Sequence, residues 1–544
     1  MAEKMTEDMT RRKFMKGAAS GAGIMTAAGA GWFSEGSNSA QSQPYSFETP
    51  PLPIPASEIK QTIRTEVVVI GAGTSGLVCA NAAAESGAKV VVIASSSMPV
   101  GRGGSIHAFD SKVMRKLGLK SDPAREFRNE MKSHSFRVDQ DKWWLWAHKS
   151  GEAMDWLIDK METAGYRSVI EMGNTDPDGI MTMYPGSHSW LSEDIQAAGR
   201  SQQLVVNTLA ESAQARGVRL FYNTTALQLV REDNNTGRVK AVIAKTADGS
   251  YCVYQGAKAV VLATGDFKDA EMVKKYCPWM LPLVNSGAGI YAGDGHKMGL
   301  WAGAAWQKTE PNAPILLGGV GPGTQPYRAF SGLVVNKNAV RYGNEDCLRS
   351  FAGAAQMRQP EFAIFAIWDS QYAEKAAPWT PVGSYYGGPS EIPFQSVLDG
   401  WEENVKVGAM VKADSMDGLA RKLGLPVVQL KATVERYNGF CTTGIDGDFG
   451  KRVGLLIPVE RSPLYGEISR SPWLLSISGG LRTNIKMQVL DTKERVIQGL
   501  YAVGTIVGDM YSNIYTFLEP GHNLGATCVT FGYLVGKYIA HSNG

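Results

Sequence analysis

Apolar residues first form a regular pattern at residues 65–70, where the run TEVVVI predicts a strand buried on both faces. Small residues dominate the next stretch, LVCANAAAESG, which predicts a helix packed closely against its neighbours. A second apolar run, KVVVIA, then predicts another buried strand. Together these segments predict a strand–helix–strand unit in which the two strands run parallel.

The turn between the first strand and the helix reads Gly71-Ala72-Gly73-Thr74-Ser75-Gly76. Its Gly-x-Gly-x-x-Gly spacing lets the backbone approach a pyrophosphate lying on the helix N-terminus. The unit is therefore predicted to bind a dinucleotide through Gly71, Gly73 and Gly76. An acidic residue usually ends the second strand of such a unit and holds a ribose hydroxyl. Here Ala94-Ser95-Ser96 occupy that place, so a serine hydroxyl, with Ser95 as the candidate, or water must replace it.

Buried-strand and glycine-rich patterns return later in the chain. Residues 260–265 form an apolar run ending in a tight turn, residues 293–299 precede another helix, and residues 499–504 precede a final helix from about 526 to 540. A cofactor held by segments from both ends of the chain suits a long, buried flavin, so FAD is preferred to NAD. The further predicted cofactor contacts are Gly103, Gly104, Ser105, Gly265, Asp294, Thr505 and Leu524.

The first forty residues have the pattern of an export signal. Arg11 and Arg12 are followed by an uncharged stretch of mostly Ala and Gly and by a polar run ending at Ala40. This order is typical of a twin-arginine signal, so residues 1–40 are predicted to direct export by the twin-arginine translocase of a prokaryote. Residues 41–62, rich in Pro and Ser, are predicted to be a linker. The mature protein is expected in the periplasm or at the outer face of the cytoplasmic membrane.

Composition and charge exclude several classes of function. The 544 residues allow two or three domains, and 44% hydrophobic with 20% charged residues is ordinary globular usage. Lys and Arg number 55 against 52 Asp and Glu, so no nucleic acid partner is expected. The six cysteines lie too far apart for zinc knuckles, iron–sulfur clusters or haem attachment, and no metal site is predicted.

Several blocks in order resemble the flavoprotein family of soluble fumarate reductases, urocanate reductases and 3-ketosteroid dehydrogenases. They extend from about residue 65 to 540 and include GAGTSG, GRGGS, VVLATGDF, GDGHKMGLWAGA, VNKNAVRYGNE, GGLRTN and GLYAVGT. The resemblance implies an α/β fold in which a Rossmann-like FAD-binding domain is interrupted by an α+β capping domain. We place the FAD-binding domain at residues 63–306 and 461–544 and the capping domain at 307–460, with the substrate between the cap and the flavin.

In the fumarate-reductase-like members, flavin N5 delivers a hydride to one alkene carbon and an arginine gives a proton to its neighbour. The resemblance places Arg349 in that role, with an ion pair to Glu345 or Asp346 as the structural alternative. A guanidinium can act as an acid only if a relay resupplies its proton. In the family the relay is a carboxylate and a second arginine. Arg328 matches the arginine, but Gln325 stands at the carboxylate position, so the relay is either rerouted, through water for example, or impaired.

The substrate contacts differ from those of fumarate reductases, which grip two carboxylates with histidines and an arginine. The matching positions fall on Asn312, Ser476 and Asn523, none of which is cationic. A small dicarboxylate is therefore not expected. Neutral amides, hydroxyls and nearby tyrosines such as Tyr515 suit a larger, partly apolar molecule with a carbonyl. His522 is a candidate for one polar contact, with a structural role as the alternative.

Three functions are consistent with these residues. We favour an exported FAD-dependent oxidoreductase that saturates a C=C conjugated to a carbonyl or carboxylate, with Arg349 as proton donor. The second is a 3-ketosteroid-type dehydrogenase that runs the chemistry backwards with a tyrosine or another base. The third is a flavoprotein that only carries electrons or binds a ligand. Because the chain has no haem or iron–sulfur spacing, the reductase is expected to need a separate donor, such as a cytochrome c or a quinol-oxidising partner.

Overall fold

The structure is a computed structural model that describes residues 45–174, 182–192, 202–285, 291–381, 384–386, 388 and 391–542. The chain divides into two compact units, residues 1–46 and 47–544. The export signal predicted at residues 1–40 lies outside the described residues, and Tyr45 and Ser46 are the described part of the first unit. All of the elements discussed below belong to the second unit.

The strands, numbered in chain order, are β1 (Ile59–Ile70), β2 (Val90–Ile93), β3 (Ile106–His107), β4 (Arg167–Ile170), β5 (Ser187–Leu191), β6 (Arg219–Phe221), β7 (Thr225–Arg231), β8 (Val239–Lys245), β9 (Tyr251–Leu262), β10 (Ala313–Leu317), β11 (Leu333–Asn336), β12 (Ile364–Asp369), β13 (Val411–Ala413), β14 (Leu464–Ser469), β15 (Trp473–Ser478), β16 (Gln488–Leu490) and β17 (Val496–Ala502).

The helices are α1 (Thr74–Glu85), α2 (Lys112–Lys116), α3 (Pro123–Ser133), α4 (Gln140–Thr163), α5 (Gln202–Ala215), α6 (Ala270–Tyr276), α7 (Asp294–Trp301), α8 (Arg349–Gln356), α9 (Gln371–Lys375), α10 (Phe394–Lys406), α11 (Met416–Leu423), α12 (Val427–Thr443) and α13 (Phe531–His541). A π-helical segment, Leu524–Thr530, leads directly into α13. Across the described ranges, none of the helices has the length and apolar character that a membrane span requires.

The main sheet is built around β1, which pairs in parallel with β2 on one side and with β9 on the other. The parallel part continues to β6 beyond β2 and to β17 beyond β9, while β16, β8 and β7 join antiparallel. Val67, Val68 and Val69 have no exposed surface, as expected for a parallel strand covered on both faces. The predicted strand–helix–strand unit is confirmed as β1, α1 and β2, and the predicted α/β class is confirmed with it.

Helix α13 packs along α1. Two glycines permit the close approach of the two backbones. A Cβ on Gly536 would lie 2.5 Å from the carbonyl oxygen of Cys79, and one on Gly532 would lie 3.0 Å from that of Ser75. The final helix therefore rests on the helix that starts at the glycine turn, and strand β17 lies next to β9 in the same sheet.

A separate antiparallel sheet has the order β11–β12–β14–β13. Along β12 the side chains alternate, with Phe365 and Ile367 in a core under α11 and α12 and with Ala366 and Trp368 in a core under α9 and α10. Strand β14 joins this sheet although it follows residue 460, where the predicted cap ends. At the other boundary, residues 59–62 of the predicted linker already belong to β1. The domain boundaries themselves stay predictions.

Candidate active site

A cavity of about 770 Å³ lies at the carboxyl ends of β1, β2 and β9, the edge at which open α/β sheets bind ligands. Segments from distant parts of the chain line it, including residues 70–75, 263–266 and 521–524. The predicted cofactor residues found in this lining are Gly71, Gly73, Ser95, Gly103, Gly104, Ser105, Gly265, Asp294, Thr505 and Leu524.

Two close approaches explain the glycines of the turn. Gly71 has a φ of +119°, and a Cβ on it would lie 2.2 Å from the carbonyl oxygen of Ala263. A Cβ on Gly76 would lie 2.0 Å from the carbonyl oxygen of Gly71. Gly76 therefore brings α1 against the turn without lining the cavity itself. At Gly71 and Gly73 the turn therefore presents backbone, with no side chain, to whatever fills the cavity.

The start of α1 provides a site for an anion. Its N-cap is Gly73, and no side chain caps the first backbone N–H groups of the helix. An anion at this end satisfies those donors and is favoured by the helix dipole. Thr264 also lines the cavity, and its Oγ1 is buried without a hydrogen-bond partner among the described residues. A bound ligand would supply that partner, so this part of the cavity fits the pyrophosphate and adjoining groups of FAD.

The end of β2 has the two serines that replace the usual acidic residue. Ser95 and Ser96 both line the cavity. The hydroxyl of Ser96 donates to the carbonyl oxygen of Met98 at 2.7 Å, whereas that of Ser95 makes no hydrogen bond to another described side chain or backbone group. Ser95 is thus the hydroxyl that remains available to a ribose.

A second part of the lining is apolar and aromatic. It includes Ile315 and Leu317 of β10, Leu475 of β15, and the rings of Tyr327 and Phe517. The two rings stack with their centroids 4.7 Å apart and their planes inclined by 11°. A flat or apolar molecule would find its partners here rather than beside the glycine turn.

Three residues stand at the positions where fumarate reductases grip carboxylates, here called the clamp positions, and they lie in different surroundings. Ser476 and Asn523 line the cavity. Asn312 is fully buried outside the lining: its Nδ2 donates to the Ser478 carbonyl at 2.8 Å, and its Oδ1 accepts from Trp306 Nε1 at 3.0 Å. Because both halves of its amide are already bonded, Asn312 fits a structural role better than a contact with substrate.

Tyr515 lines the cavity, whereas His522 lies behind it. The Tyr515 hydroxyl oxygen accepts a hydrogen bond from the Gly521 N–H at 3.1 Å, and burial raises the pKa of Tyr515 well above its usual range. The His522 ring is fully buried, with its centroid 3.9 Å from that of Tyr515. Burial lowers the pKa of His522 to about 3, so the imidazole is neutral near pH 7. Its Nδ1 lies near the carboxylates of Glu130 and Glu519, and His522 is not among the residues that line the cavity.

Arg349 is the first residue of helix α8. Its backbone N–H donates to the carbonyl of Tyr327, a cavity-lining residue, at 2.7 Å. Its guanidinium Nε donates to the carbonyl oxygen of Arg328 at 3.3 Å, and no carboxylate of the described residues forms an ion pair with it. Burial lowers the pKa of Arg349, while the negative charge of Glu467 acts in the opposite direction. The guanidinium charge is therefore not neutralised by a direct partner.

The carboxylates next to Arg349 in the sequence have other partners. Asp346 Oδ1 accepts from Arg328 Nη2 at 2.5 Å. Glu345 accepts two hydrogen bonds from Arg341, at 2.9 and 2.8 Å. The structural alternative for Arg349, an ion pair with either residue, is thus absent from the described contacts. Arg328, the predicted second arginine of the relay, is held by Asp346.

A carboxylate that the sequence analysis missed acts on Arg349 from strand β14. Burial raises the pKa of Glu467, and a hydrogen bond from the Gly321 N–H and the charge of Arg349 act to lower it. Gln325, at the family's carboxylate position, instead accepts a hydrogen bond from Asn174 Nδ2. No local pattern indicates Glu467, which lies on β14 in the separate antiparallel sheet. The two residues are far apart along the chain.

A glycine-lined cavity with an aromatic wall and a half-buried arginine beside it is the arrangement expected of a flavin-dependent oxidoreductase. The chain belongs to the family described as FAD binding domain, which it matches over residues 66–516. It is 26% identical over 496 residues to the vinyl phenol reductase of Lactiplantibacillus plantarum, covering 87% of this chain and 94% of that one. It is also 26% identical over 490 residues to the probable fumarate reductase Ifc3 of Shewanella frigidimarina, covering 88% and 75%.

A solved structure has the same fold. The 3-ketosteroid-Δ4-(5α)-dehydrogenase of Rhodococcus jostii matches with a TM-score of 0.69 at 21% identity, over 90% of this chain and 99% of that one. The resemblance inferred from the sequence blocks is confirmed, and so is the preference for FAD. The protein is an FAD-dependent oxidoreductase that acts on C=C or CH–CH bonds.

Proposed function

We propose that the protein is an exported reductase that saturates a C=C conjugated to a carbonyl or carboxylate in a larger, partly apolar substrate. When bound, FAD supplies the hydride at N5. Arg349 gives a proton to the carbon next to the one that receives the hydride. The observation that carries this proposal is the setting of Arg349. It is half-buried, lacks a carboxylate ion-pair partner among the described residues, and is bonded through its backbone to the cavity wall at Tyr327.

Arg349 must regain a proton after each turnover, and we assign its resupply to Glu467. This carboxyl is the described acidic group whose charge acts on the guanidinium. Burial raises its pKa, which keeps more of it protonated near neutral pH than an exposed glutamate would be. Glu467 would thus take the place of the family carboxylate that Gln325 lacks.

The scarcity of cationic side chains in the described lining supports a substrate other than a small dicarboxylate. The cationic side chain in the described lining is Arg102, and it is already paired with Asp266 at 2.8 Å. Ser476 and Asn523 offer a hydroxyl and an amide, which can polarise one carbonyl but cannot neutralise two carboxylates. Because aromatic and aliphatic side chains form much of the remaining wall, an aryl-substituted enoate or enone is the substrate class that we favour.

A 3-ketosteroid-type dehydrogenase is the second candidate, and Tyr515 is the observation in its favour. Its hydroxyl oxygen lies in the cavity lining and accepts backbone hydrogen bonds from Gly521 and Asn523. Such bonds stabilise the phenolate that a catalytic base requires. Burial acts more strongly in the other direction and raises the pKa of Tyr515, so we prefer the reductase.

The source of electrons follows from the proposed location. Residues 1–40 would direct the folded protein out of the cytoplasm. NADH is not available outside the cytoplasm, so the exported protein needs another source of electrons. We therefore propose a separate donor, such as a cytochrome c or a quinol-oxidising partner. Rapid turnover of the purified FAD-bound protein with NADH alone would contradict this part of the proposal.

Anaerobic reoxidation of the reduced protein tests the direction of the reaction. The FAD-bound protein is reduced chemically, and the return of the oxidised flavin absorbance is followed with fumarate, aryl acrylates and enone steroids. We expect rapid reoxidation by an aryl enoate or an enone and little by fumarate. The dehydrogenase would become the better proposal if no alkene reoxidised the reduced flavin and a saturated ketone bleached the oxidised flavin.

A further inference from the structure

Behind the cavity wall, three fully buried side chains converge. Glu130 comes from helix α3, while Glu519 and His522 precede the π-helical segment. His522 Nδ1 lies 3.7 Å from Glu130 Oε1 and 3.6 Å from Glu519 Oε2. These three residues are here named the carboxylate–imidazole cluster.

Most polar atoms of this cluster have no hydrogen-bond partner among the described residues. Both carboxylate oxygens of Glu519 and both ring nitrogens of His522 are in this state, whereas Oε2 of Glu130 lies 3.1 Å from His134 Nε2. Buried polar atoms are almost always paired, because an unpaired one loses its hydration without compensation. The remaining oxygen of Glu130 accepts from the Thr516 hydroxyl. The cluster therefore requires a further partner at its centre.

The charges indicate what that partner is. The ion pairs that Glu130 and Glu519 form with described residues involve only histidines, and no Lys or Arg is among them. Two adjacent buried carboxylates are unfavourable unless a cation or a proton compensates their charge. A divalent cation would neutralise both carboxylates.

The geometry also suits a cation. One ligand atom from each residue can be chosen so that all of them lie within 4.8 Å of one another. Separations of 3.6 and 3.7 Å are close to those between neighbouring ligands in a metal shell with bonds of about 2.0 to 2.2 Å. Two carboxylates and one imidazole, with no thiolate, are a donor set for first-row divalent metals such as Zn²⁺, which imidazole suits, and Mn²⁺, which carboxylates suit.

We propose that Glu130, Glu519 and His522 bind one divalent transition-metal ion with a structural role. The ion would join helix α3 to the segment that contributes Gly521 and Asn523 to the cavity lining. It would thereby hold that wall in place for the flavin without touching the reacting atoms. The expectation of no metal site came from cysteine spacing, and this site uses no cysteine. The inference does not depend on which substrate the protein reduces or oxidises.

Metal analysis of the full-length, untagged, FAD-bound protein tests this site. The protein is produced with Zn²⁺ and Mn²⁺ in the medium and dialysed against a chelator, which removes ions from the surface. We expect about one metal ion per chain, since a buried site retains its ion. In Glu519→Gln the content should fall at least about tenfold. Glu126→Gln, which changes another buried glutamate on α3 outside the cluster, should keep its metal.

X-ray absorption at the metal edge of the wild-type protein provides a second measurement that does not need the variant to fold. We expect nitrogen and oxygen ligands only, with one imidazole, at about 2.0 to 2.2 Å. Sulfur ligands, or a metal content unchanged in a folded Glu519→Gln protein, would place the ion elsewhere and overturn the proposal. Wild-type protein with bound FAD but less than about a tenth of an ion per chain would also overturn it. The two carboxyls would then share a proton.

Discussion

Arg341 and Arg349 are close in sequence, yet their surroundings are opposite in character. Arg341 donates to Glu345 at 2.9 and 2.8 Å and to Asp446 at 3.0 and 2.9 Å. Although burial acts to lower it, these carboxylates raise the pKa of Arg341. Arg349 has no carboxylate ion-pair partner among the described residues, and burial lowers its pKa. The comparison teaches that the charge of Arg341 is neutralised within the fold, whereas the charge of Arg349 has no direct carboxylate partner there.

Replacing Arg349 should have the largest effect, and it should be confined to activity. In Arg349→Ala we expect alkene reduction to fall by about 10²- to 10⁴-fold, the range for removal of a general acid. FAD content and the unfolding midpoint should change little, because no carboxylate loses an ion-pair partner. Stopped-flow reoxidation of the reduced flavin measures the rate.

Arg358→Met is the matched control, since Arg358 is exposed just beyond the same helix. It should keep both the rate and the flavin. If Arg349→Ala retained activity within a few-fold of the wild type, proton donation by Arg349 would have to be abandoned.

Replacing Arg341 should reverse this pattern and affect stability. In Arg341→Met two buried carboxylates lose their shared partner, so we expect the free energy of unfolding to fall by about 3 to 5 kcal/mol. Denaturant unfolding of the FAD-bound protein, followed by circular dichroism, measures the loss. Reduction rates at a temperature where the variant stays folded should be close to wild type. A large drop in rate without a loss of stability would erase the distinction between the two arginines.

Glu467→Gln should have a smaller effect, which depends on pH. We expect the reduction rate to fall by about tenfold, because water can still resupply part of the proton. Glu467 contributes as a proton donor only while protonated, so the wild-type rate should decline as pH rises through its raised pKa. Gln does not titrate and should lack this decline. A pH–rate profile measures it, with exposed Glu435→Gln as control. An identical profile in Glu467→Gln would remove Glu467 from the relay.

Replacing Arg436, an arginine at the protein surface, should have the smallest effect on the free energy of unfolding. It pairs with Asp448 at the surface, where its side chain is 63% exposed. In Arg436→Met we expect a change of less than about 1 kcal/mol in the free energy of unfolding, because water and salt screen exposed ion pairs. The same denaturant measurement applies. A loss as large as that of Arg341→Met would show that burial is not what separates these arginines.

The parts of the fold that the sequence predicted are those in which local pattern and packing agree. The strand–helix–strand unit is an example, because continuous apolar runs and the spacing of Gly71, Gly73 and Gly76 reflect short-range geometry. Gly76 shows the limit of this reasoning. The pattern marks it as a cofactor residue, but only the structure shows that it serves the packing of α1 on the turn.

The candidate site was less predictable, because chain topology brings its side chains together. Asn312 stood at a family clamp position, and nothing in the sequence indicated that Trp306 and Ser478 already bind its amide. Glu467 and Arg349 influence each other although they are far apart in the sequence, and so are Glu130 and Glu519. Such contacts leave no periodicity that a sequence pattern could show.

The contact between α13 and α1 also sets the order of events during synthesis. Strand β17 completes the parallel part of the sheet and α13 covers the helix at the glycine turn. The described lining of the flavin cavity is therefore incomplete until Cys528 has emerged from the ribosome, although the glycine turn emerges hundreds of residues earlier. Until then the nascent chain exposes an unfinished sheet edge to chaperones, and flavin loading has to wait for the completed polypeptide.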